Sequence, residues 1–362
     1  MSGPPAPGGP DRAPPAALPT SDPPTSEPPV TEPPTSEPPA PEPPTAGLRV
    51  AVPRALAGER LDRVVALLWG LARGDVAAMV TAGGVRVAGR TATTRSVRVA
   101  EGDVVEVDLA ERADRPAVGP DPGVEVPVVA VDEHVVVVDK PPGLVVHPGA
   151  GHAGGTLVNG LLARWPEMAA VGDPARPGIV HRLDAGTSGL LVVARSALAY
   201  DSLVAQLAAR GVDRRYLALV WGSVESPSGM VDAPVGRSAR DRTQMAVSAG
   251  GREARTRYRV LSRHRVRPSG VAGRPGGSGG DVTIVECSLE TGRTHQIRVH
   301  LAAIGHPVVG DVRYGGARPA VPLARPFLHA FELAFDHPAG GRRTRWTSPL
   351  PPDLVEAREL LD

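Results

Sequence analysis

The sequence predicts an α+β protein. Its main body is a mostly antiparallel, mixed sheet, with a smaller α+β unit ahead of it and a proline-rich tail ahead of both. Three observations carry this expectation. Beyond residue 124, strand-length apolar runs outnumber helical patterns, and hairpin-like neighbours are frequent. Within 48–110, two short helical patterns precede alternating stretches. Residues 1–47 lack any apolar pattern.

In that tail Thr20-Ser21-Asp22-Pro23-Pro24 recurs as Thr25-Ser26-Glu27-Pro28-Pro29 and again at Thr35-Ser36-Glu37-Pro38-Pro39. Such a tract cannot bury a core, so a disordered spacer with polyproline II character is expected. The unit at 48–110 opens with helical spacing over Arg60–Leu68. A second helix is expected around Asp75–Ala82, ended by Gly83-Gly84. Val85–Val87, a turn at Gly89-Arg90 and Asp103–Val107 then alternate as strands. Residues 111–123, rich in Pro and Gly, read as a linker into the main domain, 124–362.

In the main domain, Val135–Val138 forms a buried strand running into a turn at Asp139-Lys140-Pro141-Pro142-Gly143. Leu190–Ala194 is another strand. The next helix has Ser196 as N-cap, an apolar face of Leu198, Leu203, Val204 and Leu207, and Gly211 as its stop. Strands follow at Arg215–Trp221 and at 254–261, 282–290, 328–335 and 343–347, with helices at 294–304 and 352–361. The Gly/Ser/Pro-rich stretch 267–280 is expected to be a mobile loop.

At 362 residues the chain can bury a core without disulfide or metal. Cys287 is the single cysteine, which suits a reducing cytoplasm. No apolar run approaches a membrane span, and no charged-then-apolar leader pattern opens the chain. Lys140 is the only lysine, so arginine supplies nearly all positive charge, and its fork suits phosphate and stacks on bases. The net charge of +1 hides a tail with six acids and one base, which leaves the rest at +6. An acidic tail on a basic body points toward a polyanionic partner.

Four stretches carry candidate chemistry. In Gly178–Gly189, Asp184 follows His181-Arg182-Leu183 in a tight loop before an apolar strand. A site carboxylate and a turn-holding carboxylate are equally good local readings. In Leu289–His300, His295 and His300 are five apart, which on a helix turns them roughly 140° from each other. With no Glu or Cys at ligand spacing, no metal is expected. Arg293 and Arg298 are also five apart, so at most one is expected to face a given site. Arg298 sits among Ile297, Val299 and Leu301, where a semi-buried guanidinium needs an anion; Asp184 is the candidate. Tyr216, in Asp213-Arg214-Arg215-Tyr216, is either core packing or part of a site. Finally, Gly236–Met245 is arginine-rich, and Arg255, Arg257 and Arg259 alternate, giving either a solvated face or a positive stripe.

Taken in order, these stretches resemble the RluA-type pseudouridine synthases. The signature is His181-Arg182-Leu183-Asp184-x-x-Thr187-Ser188-Gly189-Leu190. The likeness extends over Asp139–Gly149, Arg215-Tyr216-x-Ala218, Thr291–His300, Gly310-Asp311-x-x-Tyr314-Gly315 and Leu328-His329-Ala330, nearly all of 124–350. The unit at 48–110 is loosely similar to the S4 RNA-binding module, the family's usual N-terminal companion. It departs at Ala72-Arg73-Gly74-Asp75, where Ser-Arg is usual. Ala185 and Gly186 also depart from the long residue many relatives carry after the aspartate.

The resemblance implies conversion of uridines in structured RNA to pseudouridine, with large-subunit ribosomal RNA as the expected partner and a monomeric enzyme. It implies Asp184 as the catalytic aspartate, Tyr216 as an active-site tyrosine acting as a base, and Arg298 as the arginine paired with the aspartate. Arg182 is implied to fill the gap left by the flipped base. Arg237, Arg242, Arg293 and His295 are expected to face RNA. The reaction oxidises nothing and releases no group, so no cofactor is expected. A carboxylate can attack the sugar or the ring. A phenol would need its pKa of ~10 lowered to serve as a base. Two other classes remain possible at this level: a non-catalytic RNA-binding factor, and a hydrolase using Asp184 with His181. The first would not need Asp184, Tyr216 and Arg298 together, and the second lacks another positioned carboxylate.

Overall fold

A computed structural model of the chain describes residues 48–71, 73–108, 118–149, 151–267 and 280–362. The proline-rich tail, residues 111–117 of the linker and 268–279 of the expected loop lie outside the described residues. The described residues divide into two compact units, split between Ala113 and Asp114.

The first unit holds β1 (Leu48–Ala51), α1 (Leu61–Trp69), α2 (Arg73–Ala82), β2 (Val85–Val87), β3 (Arg90–Thr91) and β4 (Val104–Val107). The strands form an antiparallel sheet in the order β1-β4-β2-β3. Leu61, Val64 and Val65 of α1 fall on one helical face and bury against Val76, Met79 and Val80 of α2. Val105 and Val107, alternate residues of β4, complete this core. Gly70 ends α1 in the left-handed conformation (φ 64°), as a helix stop requires.

The second unit runs β5 (Val128–Val131), β6 (Val135–Lys140), α3 (Leu157–Arg164), β7 (Ser188–Ala194), α4 (Ala197–Ala208), β8 (Asp213–Trp221), β9 (Ser228–Asp232), β10 (Val235–Arg237), β11 (Met245–Val247), β12 (Arg255–Arg265), β13 (Asp281–Leu289), α5 (Gln296–Ala303), β14 (Leu328–Asp336), β15 (Arg343–Thr347) and α6 (Pro352–Glu359). Nine strands make one sheet, ordered β5-β6-β7-β14-β8-β13-β12-β9, with β15 also on β14. Only the β7–β14 pairing is parallel; the rest are antiparallel. Every residue of β7 is buried, because the sheet is covered on both faces there. Leu191 and Val193 face one core, and Leu190, Val192 and Ala194 the other. Gly189 lets β7 and β14 approach: its φ is 110°, and a Cβ would fall 2.3 Å from the Ala330 carbonyl oxygen.

Two expectations need correcting. Ser196 does cap α4, accepting the Ala199 N–H at 3.2 Å. The helix, however, buries Ala199 and Leu203 and leaves Leu198 53% and Val204 42% exposed. It lies on the sheet through Ala199 and Leu203, with Tyr200 and Leu207 packed beside them. The left-handed residue that ends it is Arg210 (φ 60°) rather than Gly211; the Arg210 guanidinium is held by Glu253 and Glu290. Of the two readings of the β12 arginines, the solvated face holds and a free positive stripe does not form. Arg255 pairs with Asp232, Arg257 with Glu290 and Arg259 with Glu286. Carboxylates on neighbouring strands and loops neutralise them.

Candidate active site

Asp184 lies in the loop entering β7, at the middle of the sheet. Leu183, 4% exposed, plugs into the core and fixes the loop from below. His181 anchors its start, its Nε2 accepting the Val192 N–H at 3.2 Å. The far side is clamped by the β6 turn. Gly143 N–H donates to the Ala185 carbonyl at 2.8 Å. Lys140, fully buried, donates from Nζ to the carbonyls of Pro141, Leu144 and Ala185 at 2.8, 2.9 and 3.1 Å. Burial pulls Lys140 down to about 7, against the opposing charge of Asp184. Three carbonyl acceptors nevertheless match the three protons of an ammonium. Arg325, gripped by Asp353 at 2.5 and 2.7 Å, donates to the Gly186 carbonyl at 3.2 Å.

Arg298, on α5, points one nitrogen at this loop. Its Nη1 donates to Asp184 Oδ2 at 3.1 Å. Its Nε and Nη2 form a fork on Asp311, at 2.6 and 2.9 Å. Burial alone would lower the Arg298 pKa, but the Asp311 hydrogen bonds and the charges of Asp184 and Asp311 hold it above its ordinary value. Tyr314 lies over the guanidinium, 5.0 Å from ring centre to Cζ. Its hydroxyl meets His295 Nδ1 at 2.8 Å and accepts the Met245 N–H at 3.2 Å.

Tyr216, 4% exposed, comes from β8. Burial pushes its phenol up to about 12; Arg214 opposes that rise, while Asp184 and Cys287 add to it. The lowering a base would need is therefore not present: in the free protein the phenol is protonated. Asp184, Tyr216, Arg298, Arg182, Arg293 and His295 all line one recess of about 40 Å³. A neighbouring cleft of about 500 Å³ shares Arg182, Asp184, Tyr216 and Arg293 with it. Arg182 is exposed at their junction.

Arg293 and Arg298 thus face one site, against the helical-spacing expectation. The helix begins only at Gln296, so Arg293 and His295 precede it, with His295 in the left-handed conformation (φ 58°). Arg237 and Arg242 do not line this recess or cleft. They lie exposed on the β10–β11 hairpin, Arg237 donating to the Arg242 carbonyl at 3.2 Å. His300 is fully buried, between Thr256 Oγ1 and the Ala233 carbonyl. Asp311 and Tyr314 were not identified as site residues from the sequence. Their only signal was the Gly310-Asp311-x-x-Tyr314-Gly315 motif, whose loop brings both to Arg298.

Residues 134–303 match the family model described as RNA pseudouridylate synthase. The chain is similar to "Ribosomal large subunit pseudouridine synthase D" of Xanthomonas campestris pv. campestris, 43% identical over 326 residues, covering 86% of this chain and 92% of that one. It is 42% identical over 323 residues to the protein of the same name from Pseudomonas aeruginosa, covering 86% and 94%. Among solved structures, human RNA Pseudouridylate Synthase Domain Containing 1 aligns with a TM-score of 0.50 and 27% identity, over 66% of this chain and 89% of that one.

Proposed function

The chain belongs to the RNA pseudouridylate synthase family and is an RNA pseudouridine synthase, and from that premise we propose that its substrate is a set of uridines in large-subunit ribosomal RNA. The substrate named for the two bacterial relatives supports this reading. The observation that carries the catalytic assignment is the Arg298–Asp184 ion pair at 3.1 Å, lining one recess with Tyr216.

In this proposal the target uridine leaves its stack and enters the cleft at Asp184 and Tyr216, at a cost of roughly a few kcal/mol. Arg182, exposed at the mouth, takes the vacated position and offsets part of that cost. Asp184 is the nucleophile, and its attack accompanies cleavage of the N-glycosidic bond. The detached base turns, C5 bonds to the sugar as the bond to Asp184 breaks, the C5 hydrogen leaves as a proton, and N1 takes a proton up in exchange. Arg298 holds the aspartate in line until it attacks. Tyr216, protonated, gives the turning base an aromatic wall and a hydrogen-bond donor. Arg293 and His295 border the same recess. Arg237 and Arg242, on the β10–β11 hairpin, would contact RNA farther from the reacting base.

The unit at 48–110 would add sequence-independent phosphate contacts as an S4-like module, with the enzyme acting as a cytoplasmic monomer. Among the described residues, no helix is long and apolar enough to cross a membrane. The test is tritium release from large-subunit RNA labelled at uridine C5. The intact protein should release tritium and Asp184→Asn should not; no release by the first, or full release by the second, refutes the reading.

A further inference from the structure

We propose that Arg214 is the binding site for an RNA backbone phosphate flanking the target uridine. The inference rests on the reading above, in which the cleft beside Asp184 receives RNA. Three arginines are buried among the described residues: Arg214 at 8%, Arg298 at 6% and Arg325 at 9% exposure. Two of them are satisfied by a carboxylate fork, Arg298 by Asp311 and Arg325 by Asp353. Arg214 has no carboxylate at ion-pairing distance among the described residues. Its one hydrogen bond is a long one, from Nη2 to the Leu289 carbonyl at 3.3 Å. Its Nε is buried without a partner. A guanidinium kept in that condition leaves a buried charge uncompensated unless an anion arrives.

The surroundings say which anion. Arg214 and Tyr216 are alternate residues of β8 and project to the same face, about 7 Å apart along the strand. Both line the 500 Å³ cleft, together with Asp184 and Arg182. A phosphate on Arg214 would therefore flank a base held at Tyr216 without overlapping it. Gly292 keeps the way open, since a Cβ there would sit 3.0 Å from Arg214 Nη1. The cleft's other arginines do not substitute, Arg182 being taken by the vacated stack position in the reading above. Arg210 is held by Glu253 and Glu290, and Arg176 pairs with Asp173. Arg293 donates Nε to the Glu253 carbonyl. A planar fork with free donors suits a phosphodiester's two non-bridging oxygens.

The probe is a synthetic stem-loop carrying a uridine that the wild-type protein modifies, with a neutral methylphosphonate replacing each flanking phosphate in turn. Affinity is read by fluorescence anisotropy in an Asp184→Asn background, across a salt series. At one position the methylphosphonate should weaken binding ~10-fold or more and reduce the salt slope by about 0.7, the loss of one single-strand phosphate contact. In Arg214→Gln the same replacement should have no further effect, and Arg214→Lys should recover part of the loss. Without RNA, Arg214→Gln should melt at or above the wild-type temperature, because it removes an unpaired buried charge. Equal methylphosphonate effects in wild type and Arg214→Gln overturn the proposal. So does a lowered melting temperature with unchanged RNA affinity, which would make Arg214 structural. A change confined to the pH profile of turnover also overturns it, assigning Arg214 instead to the tuning of Tyr216. Tritium release by the wild type is measured on the same RNA. If it occurs while these arms fail, only the Arg214 assignment falls; if it is absent, the functional reading falls first.

Discussion

Replacing Asp311 with Asn tests whether the site's arginine is held from behind. Asp311 is fully buried and takes two charge-assisted bonds from Arg298, at 2.6 and 2.9 Å. It also accepts the backbone N–H groups of Arg313 and Tyr314 at 3.0 and 3.3 Å. Removing one partner of a buried ion pair costs about 3–5 kcal/mol. Asn keeps one acceptor oxygen, and Arg298 keeps Asp184, so the lower end applies, ~3 kcal/mol. In a domain of this size each kcal/mol shifts the melting temperature by ~2–4 °C, so a fall of ~6–12 °C is expected. Turnover should fall further than stability alone explains. The freed fork can swing wholly onto Asp184 and occupy the carboxylate proposed to attack; a barrier raised by ~1.4 kcal/mol is tenfold in rate. Thermal denaturation and single-turnover tritium release on the same preparation read both effects. An Asp311→Asn protein with wild-type melting and wild-type turnover would show instead that Asp184 alone orients Arg298.

Two further outcomes follow from the loop and the sheet. Burial, reinforced by Arg214, keeps His181 neutral down to about pH 3, against 6.5 in an unfolded chain. Between those values the unfolded state binds the extra proton, so stability falls as pH drops from 6.5 toward 3. The full shift corresponds to ~5 kcal/mol. His181 Nδ1 is buried but the ring is partly exposed, so screening should reduce this to ~2–3 kcal/mol. Denaturant titrations at a series of pH values should show a steeper acid loss for wild type than for His181→Gln; parallel curves would contradict the buried, neutral imidazole. Gly189→Ala places a Cβ 2.3 Å from the Ala330 carbonyl in a left-handed backbone, and should cost ~3 kcal/mol or more by parting β7 from β14. An unchanged melting temperature would mean the parallel pairing is not the constraint it looks to be.

What the sequence made legible was local. The alternation of Val85–Val87, the apolar run into Ala194 and the cap at Ser196 each follow from neighbours a few residues apart, and each forms as expected. Asp184 was an even choice between turn and site on local grounds; only the resemblance, through Tyr216 and Arg298 far downstream, pointed to a site, and the structure brings the three to one recess. What failed depended on where an element begins or on what arrives from elsewhere. Arg293 and Arg298 were separated by a helical rule that does not apply before Gln296. Leu198 and Val204 were assigned to a buried face, yet the sheet accepts α4 through Ala199 and Leu203. The choice between solvated face and positive stripe for the β12 arginines stayed open, because Asp232, Glu286 and Glu290 reach them from other segments. Asp311 carries no pattern that marks it as a partner of Arg298.

That last omission matters most for the chemistry. An arginine facing only Asp184 would be free to fork onto it with two donors, tying up both carboxylate oxygens. Here the fork is already spent on Asp311, and Tyr314 covers the guanidinium's face. One nitrogen, Nη1, is left for Asp184, and it contacts only Oδ2. Oδ1 is left outside that contact. The second carboxylate therefore limits how much of the first the arginine can claim. It also supplies the anion that a buried guanidinium needs, whether or not Asp184 turns to the substrate. In the proposed reaction, Asp184 can then exchange its single bond from Arg298 for a bond to the sugar or ring without stranding a buried charge.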